Sequence, residues 1–307
     1  MNSNPLVSVV IPTYNRAHLI EESIKSVLEQ TFEDWELIIV DDGSEDNTEH
    51  IIQKIKNSKI RYYKSEHCGL LGKVRNYGIK MAQGKYIAFL DSDDLWRKDK
   101  IALQLEFFDK YDIHFTFSNG SHFGDSVAIQ PPSVGKPFIG DLFLPLIFEH
   151  RFVIYMPSFL VKKEVFSTIE MFNETFRSGA DVDFAYRMAL KFRGAFSDER
   201  LVAIRKHDFG MSLKYREVAF LEDLQIQKNF FNQNVLSKKQ YKNLTSTTYY
   251  KLALLNLKND KHHRAFEYFL EYNKLRPFSL RGWIRLLQVS LEKLFSKTAT
   301  TSRTGRK

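Results

Sequence analysis

The strongest constraint on the fold is a repeated change of hydrophobic period across residues 6–118. The run Leu6-Val-Ser-Val-Val-Ile11 has the β-branched content of a buried strand. A helical pattern follows, with Leu19, Ile20, Ile24, Val27 and Leu28 on one face and Glu21, Glu22 and Lys25 on the other. The exchange then recurs. Glu36-Leu-Ile-Ile-Val40 is a second strand, and Asn47 is placed to cap a helix through Ile51, Ile52 and Ile55. Ile60-Arg-Tyr-Tyr63, a helix over Gly72–Gln83, and the strand Lys85-Tyr-Ile-Ala-Phe-Leu90 continue the series. A helix over Lys98–Lys110 and the strand Ile113-His-Phe-Thr-Phe117 complete it. Strands separated by helices pair in parallel, so the pattern predicts an α/β fold with a mostly parallel, Rossmann-like sheet flanked by helices.

Beyond residue 118 the pattern loosens. Pro131-Pro132, Gly135, Pro137 and Gly140 mark loops, Phe152–Val161 is apolar enough for a buried strand, and Asp181–Phe192 has helical spacing. From 238 onward the pattern is purely helical. Tyr249, Leu252, Ala253, Ala265, Phe269 and Pro277 fall at the spacings of one tetratricopeptide-like helix pair. A last helix, Leu280–Phe295, carries apolar residues at 280, 284, 287, 291 and 294, with Arg281, Arg285, Gln288 and Glu292 opposite. The expected organisation is therefore an α/β domain over 1–237, in halves 1–118 and 119–237, followed by an all-helical C-terminal extension over 238–307.

Charge separates these regions. Lys and Arg number 45 against 37 Asp and Glu, a formal charge of +8. Residues 238–307 hold 16 basic and four acidic residues, so the rest of the chain is mildly acidic. The helix over 280–297, with Trp283 and flanking Arg281, Arg285, Lys293 and Lys297, has the composition of one that lies on an anionic membrane. Aromatic residues in the extension keep helix-core spacing, so no nucleic-acid partner is expected. The single cysteine, Cys68, excludes an intramolecular disulfide framework. Leu6–Ile11 has no basic residue ahead of it and ends at Pro12, unlike a secretory signal, and no run is long enough to span a membrane. The expected location is cytoplasmic, with peripheral contact at the inner face of the cell membrane.

Ligands of open α/β sheets bind beyond the carboxyl ends of the strands. Here those ends give way to Pro12-Thr-Tyr-Asn15, Asp41-Asp-Gly-Ser44 and Asp91-Ser-Asp-Asp94, which places five carboxylates on one rim. Carboxylates crowded in this way raise one another's proton affinity unless a cation balances them. All-oxygen donors suit Mg²⁺ or Mn²⁺, metals that serve phosphate-bearing substrates. Neither GxGxxG nor GxxxxGK[ST] occurs, so the dinucleotide and P-loop readings lose their main support.

The segments Val9-Val-Ile-Pro-Thr-Tyr-Asn15, Val40-Asp-Asp-Gly-Ser44, Val74-Arg-Asn76 and Phe89-Leu-Asp-Ser-Asp-Asp94, in this order and spacing, resemble family 2 glycosyltransferases of the GT-A fold. The resemblance is specific over residues 6–118 and traceable to about 213. It implies an inverting transfer from a nucleotide-sugar, most often a UDP-sugar, to a saccharide or lipid-linked saccharide in cell-surface polysaccharide biosynthesis. By the same resemblance Pro12 and Tyr14 line the base and ribose pocket, Asp42 accepts from the base, and Arg75 approaches the diphosphate. Asp91-Ser-Asp93 is the family's DxD motif, with Asp91 toward the ribose, Asp93 the principal metal ligand and Asp94 a second contact. His207, in Arg205-Lys-His207 with Ser212 beyond it, resembles the residue that completes the metal or diphosphate site. Gly179-Ala-Asp-Val-Asp183 with Arg187 resembles the catalytic-base segment. Asp181 falls on the base, Asp183 remains a rival, and Ala180 replaces the usual acidic neighbour.

Two other functions use the same features. A nucleotidyltransferase also binds metal through carboxylates on an α/β sheet, but it carries a basic Gly-rich loop where this chain has Pro12-Thr-Tyr-Asn15. A degenerate, non-catalytic transferase kept as a binding module is the other alternative, and the presence of Asp42, Asp93 and Asp181 argues against it.

Overall fold

The elements follow the predicted alternation closely in the first half of the chain. The computed structural model describes residues 4–124, 136–148, 152–206 and 214–301, with the backbone alone for 291–301. In order these are β1 (Val7–Thr13), α1 (Ile20–Leu28), β2 (Trp35–Asp41), α2 (Thr48–Lys54), β3 (Ile60–Lys64), α3 (Leu71–Met81), β4 (Tyr86–Phe89), β5 (Leu95–Trp96) and α4 (Lys100–Lys110). Then come β6 (Phe115–Phe123), β7 (Phe138–Gly140), α5 (Phe143–Ile147), a 3₁₀ turn (Met156–Ser158), β8 (Leu160–Lys162), α6 (Val165–Thr168), α7 (Ala180–Lys191) and β9 (Gly194–Arg205). Four helices follow: α8 (Arg216–Asn232), α9 (Lys238–Lys258), α10 (His262–Leu275) and α11 (Leu280–Thr301).

The strands form one sheet in the order β3-β2-β1-β4-β8-β6-β9-β5, with β7 also pairing β9. Strands β1 to β4 are parallel, as the βα alternation requires. The expectation of a mostly parallel sheet stops there. Past β4 the sheet is mixed, since β8 runs antiparallel to β4 and β6, and β5 and β7 run antiparallel to β9. The expected strand over Phe152–Val161 is shortened to β8, because the 3₁₀ turn containing Pro157 takes up its middle.

Every residue of β1 and β2 is buried, the signature of central strands covered on both faces. Val9, Ile11, Leu37 and Ile39 share a cluster with Ile20, Ile24 and Val27 of α1, and each such side chain contributes about 1.5–3 kcal/mol on burial. Register sets the rim. Thr13 lies opposite Asp41, and Asp41 opposite Lys64, so β1, β2 and β3 end at one level. The amide of Leu90 donates to Val10 O, which carries the segment after β4 up beside them.

Two glycines bring α3 to that rim. A Cβ at Gly78 would meet Val10 Cγ1 at 2.4 Å, so glycine allows α3 to lie against β1. A Cβ at Gly72 would meet Asn173 O at 2.8 Å and Ala180 Cβ at 3.3 Å, which fixes the close crossing of α3 and α7. Ala180, 3% exposed, lies at that crossing.

The chain divides into two compact units, Met1–Lys214 and Tyr215–Lys307. The division falls before α8, not at 237/238 as the change of pattern suggests. Helix α8 joins the helical unit through polar contacts that leave no hydrophobic period: Gln227 Nε2 donates to Thr248 Oγ1 at 2.9 Å, and Thr245 Oγ1 to Gln227 Oε1 at 3.1 Å. A capping box between Ser237 and Gln240 starts α9. The expected helix pair is present as α9 and α10, with Ala253, Ala265 and Phe269 fully buried between them. Helix α11 closes this core with Leu286 and Val289. The predicted stripe of 280, 284 and 287 is thus not its packing face. Leu280 is 75% exposed and Leu287 64%.

Candidate active site

The rim is assembled from the ends of β1, β2 and β4 and the first turns of α3 and α7. Pro12 is buried in β1 opposite Val40, and Tyr14 stands just beyond it, 37% exposed. Asn15 takes a left-handed backbone (φ 50°), a conformation that asparagine tolerates better than most residues. Its amide donates to Ser44 Oγ at 2.8 Å and its Oδ1 accepts from Glu45 N at 2.9 Å, which locks the β1 and β2 loops together.

The two aspartates after β2 divide the work. Asp41 is structural: its Oδ1 accepts from Ser44 N at 2.7 Å and its Oδ2 from the Tyr62 hydroxyl at 2.7 Å. Asp42 faces the loop after β3, accepting from Cys68 N and Gly69 N, both at 2.9 Å. His67 Nδ1 lies 2.9 Å from Asp42 Oδ2, and the His67 ring stacks on Tyr14 with centroids 4.0 Å apart. His67 has no motif to announce it.

Arg75 is the centre of the site. It is fully buried, and its guanidinium bonds Asp91 Oδ1 at 2.7 Å and Asp181 Oδ1 through its other nitrogen. Two candidate site carboxylates far apart in sequence are thereby held by one planar cation, whose fork suits two acceptors. Burial tends to discharge Arg75, but the two carboxylates hold its pKa above the ordinary arginine value. Asp181 is pushed up to about 6: burial raises it, Arg75 pulls it back, and Asp91 adds to the rise. Its side chain keeps 28% exposure, so the carboxyl can be approached from outside.

Asp183 is placed differently. It is buried, and its Oδ2 accepts from Arg187 Nη2 at 2.7 Å and Nε at 2.9 Å, while Arg187 also donates to Met171 O at 2.8 Å. This pair fastens α7 to the segment before it.

Asp91, Asp93 and Asp94 crowd the turn after β4. Asp94 is buried and accepts from Arg205 N at 2.8 Å, and Arg205 Nε donates to Asp93 O at 3.0 Å, which ties β9 to the turn. Burial, then the charges of Asp91 and Asp93, push Asp94 well above the ordinary carboxylate range. Arg16 Nη2 lies 3.8 Å from Asp93 Oδ2. This excess of hard oxygen donors fits a divalent cation. Among the described residues, however, no three His, Cys, Asp or Glu side chains converge on one cation position. His207 lies outside the described residues.

The comparisons with known proteins now bear on this geometry. The model of "Glycosyl transferase family 2" matches residues 8–169, more than half of the chain. The chain belongs to glycosyl transferase family 2. Among curated members it is 41% identical over 114 residues to the UDP-Glc:alpha-D-GlcNAc-diphosphoundecaprenol beta-1,3-glucosyltransferase WfgD of Escherichia coli, covering 37% of this chain and 45% of that protein. The matches span between a third and a half of the length of the first curated relatives. Among solved structures, S. aureus TarS 1-349 in complex with UDP-GlcNAc aligns with a TM-score of 0.66 at 22% identity, over 92% of this chain and 79% of that one. The mannosyltransferase PcManGT from Pyrobaculum calidifontis, solved with GDP-Man and Mn2+, aligns with a TM-score of 0.62 at 17% identity, over 98% and 84%. These two likenesses bear out the expected GT-A-like architecture.

Within this family fold, the structure brings together Arg75, Asp91 and Asp181, and separately Tyr14, Asp42 and the loop at 67–69. Sequence reasoning missed His67, Arg16 and the pinning role of Arg205. His67 and Arg16 had no periodic or motif signal, and Arg205 was noted only as the neighbour of His207 in its segment.

Proposed function

We propose that this family 2 member is an inverting glycosyltransferase that moves a sugar from a nucleotide-sugar, a UDP-sugar, to a saccharide or lipid-linked saccharide acceptor. The observation that carries the proposal is Arg75, which ties the donor-rim carboxylate Asp91 to Asp181. Tyr14, Pro12 and Asp42 hold the base and ribose side, Asp91 meets the ribose, and the buried Arg75, expected from the family resemblance to approach the diphosphate, instead positions Asp91 and Asp181 from behind. Asp181, carboxylate above about pH 6, takes the proton from the acceptor hydroxyl as that oxygen attacks the anomeric carbon from the side opposite the diphosphate. Asp183 is the poorer base because its side chain is only 10% exposed, against 28% for Asp181. Asp93, with Asp94 and His207 as its companions, would hold Mn²⁺ or Mg²⁺, the metals suited to oxygen donors. Such an ion, when bound, offsets the charge gathering on the leaving diphosphate. The diphosphoundecaprenol-linked acceptor of WfgD and the UDP-GlcNAc in the TarS complex support the donor and acceptor classes.

A surface polysaccharide role also accounts for α11. Leu280, Trp283, Ile284 and Leu287 are exposed on one side, Phe278 just before them is 99% exposed, and Arg281 and Arg285 flank them. The opposite side packs on α10, with Leu286 and Val289 buried. No described helix is long and apolar enough to cross a membrane. We infer peripheral docking of α11 on the anionic inner face of the cell membrane, where lipid-linked acceptors reside.

The test is a transfer assay with UDP-glucose and UDP-GlcNAc, Mn²⁺, and a lipid-diphosphate-sugar acceptor. Product with the inverted anomeric configuration is expected. Retained configuration, or nucleotide transfer in place of sugar transfer, would overturn the reading.

A further inference from the structure

We propose that His67 is an internal competitor of the nucleobase, a side chain that makes for itself the contacts a base would make. The inference rests on the reading that Tyr14 and Asp42 hold the base. His67 stacks on Tyr14 with ring centroids 4.0 Å apart and planes within 19°. Its Nδ1 is 2.9 Å from Asp42 Oδ2 and 2.9 Å from Asp42 O. One planar, nitrogen-bearing ring therefore has both a face on Tyr14 and a ring nitrogen on Asp42. A pyrimidine presents the same pair of features, a flat face and an imide N–H.

The two cannot share the space. A base between Tyr14 and His67 needs the rings about 7 Å apart, twice the ~3.5 Å contact distance of carbon atoms. To reach this face of Tyr14 and the Asp42 carboxylate together, the base has to move the imidazole away. The backbone around His67 is not free to help. Cys68 N and Gly69 N are bonded to Asp42, and Ser65 N to Asp41 O at 2.9 Å. Gly43, at φ +78°, approaches so closely that a Cβ there would lie 2.8 Å from His67 N. The side chain itself is 47% exposed, so a rotation about its own torsions carries the ring into solvent while the chain stays in place. Each binding event then breaks one stack and one hydrogen bond before it makes another of each, and the donor is held more weakly than the pocket alone would hold it.

Calorimetric titration of UDP and uridine into the whole chain and into H67A, Y14A and D42A tests this. H67A is expected to bind UDP about three- to tenfold more tightly than wild type, the size of one net side-chain hydrogen bond. Y14A and D42A are expected to bind more weakly. A second readout follows the His67 ring by NMR: its ring-current shift from Tyr14 is expected to collapse as UDP is added. Weaker or unchanged binding by H67A, or a His67 signal indifferent to UDP, would overturn the competitor while leaving the base site intact. If UDP binds wild type but Y14A and D42A bind it equally well, the base-site reading itself falls, and the competitor with it. Thermal melting of H67A confirms that a partly exposed substitution has left the fold in place.

Discussion

The rim of the sheet and the outer side of α11 both expose chemistry, but they do it in opposite ways. At the rim, charged groups sit in or beside the core and are immobilised by each other: Arg75 between Asp91 and Asp181, Asp94 on Arg205, Asp42 on the 67–69 loop. On α11, apolar groups stand largely in solvent: Leu280, Ile284 and Leu287 are each more than half exposed. On the proposed reading, the first arrangement orients reactants and the second offers area to a membrane surface. The contrast predicts that rim substitutions change chemistry and folding together, whereas those on the outer side of α11 change location alone.

The largest expected effect is at Arg75. Its removal in Arg75→Met leaves two carboxylates facing each other without their counter-charge. About 3 kcal/mol of stability should be lost in urea unfolding, at the low end for a broken buried pair because both carboxylates are part-exposed. Transfer should be lost as well. Arg75→Lys should restore little, because one ammonium cannot span both acceptors. A fully active and stable Arg75→Met protein would break the rim half of the comparison.

Next comes the pair Leu286→Ala and Leu287→Ala, adjacent residues on opposite sides of α11. The buried Leu286 should cost about 2–3 kcal/mol in the helical unit, whereas the exposed Leu287 should cost less than about 0.5. Conversely, a Trp283→Ser, Leu287→Ser double variant should lose most co-sedimentation with anionic vesicles, while Leu286→Ala retains it. Equal vesicle binding by all three would remove the distinction between the two sides.

How much of this was legible follows the same divide. Strands β1, β2 and β4, buried along their whole length, have a single reading, so they and the acidic turns after β2 and β4 could be placed from residue order. Asp181 was singled out through the resemblance of its segment to the family's catalytic-base segment. Its pairing with Arg75 was not, because that depends on where Gly72 and Gly78 let α3 lie, a matter of backbone approach that no periodicity encodes. Helix α11 was legible as an amphipathic helix, but not which of its sides packs. It has two apolar arcs, and the richer one, 280-284-287, is the one left outside. The boundary at 214/215 escaped because α8 attaches partly through Gln227, Thr245 and Thr248, and its buried Ile226 and Phe230 and the Phe231–Tyr241 stack are too few to form a clear hydrophobic period.

A smaller effect sharpens the rim further. Only the carboxylate form of Asp181 can accept a proton, and its pKa stands at about 6. Turnover should therefore rise about tenfold per pH unit up to about 6 and level off above it.

The most direct test of the account compares Asp181→Asn with Asp183→Asn at saturating donor. Asp181→Asn should keep UDP-sugar binding by calorimetry and lose about 10²- to 10⁴-fold in kcat, with the acid limb of the pH profile gone. Asp183→Asn should fold less stably and keep the limb. A full-rate Asp181→Asn enzyme, or an acid limb that vanishes with Asp183 instead, would contradict the central claim that the carboxylate held by Arg75 is the base.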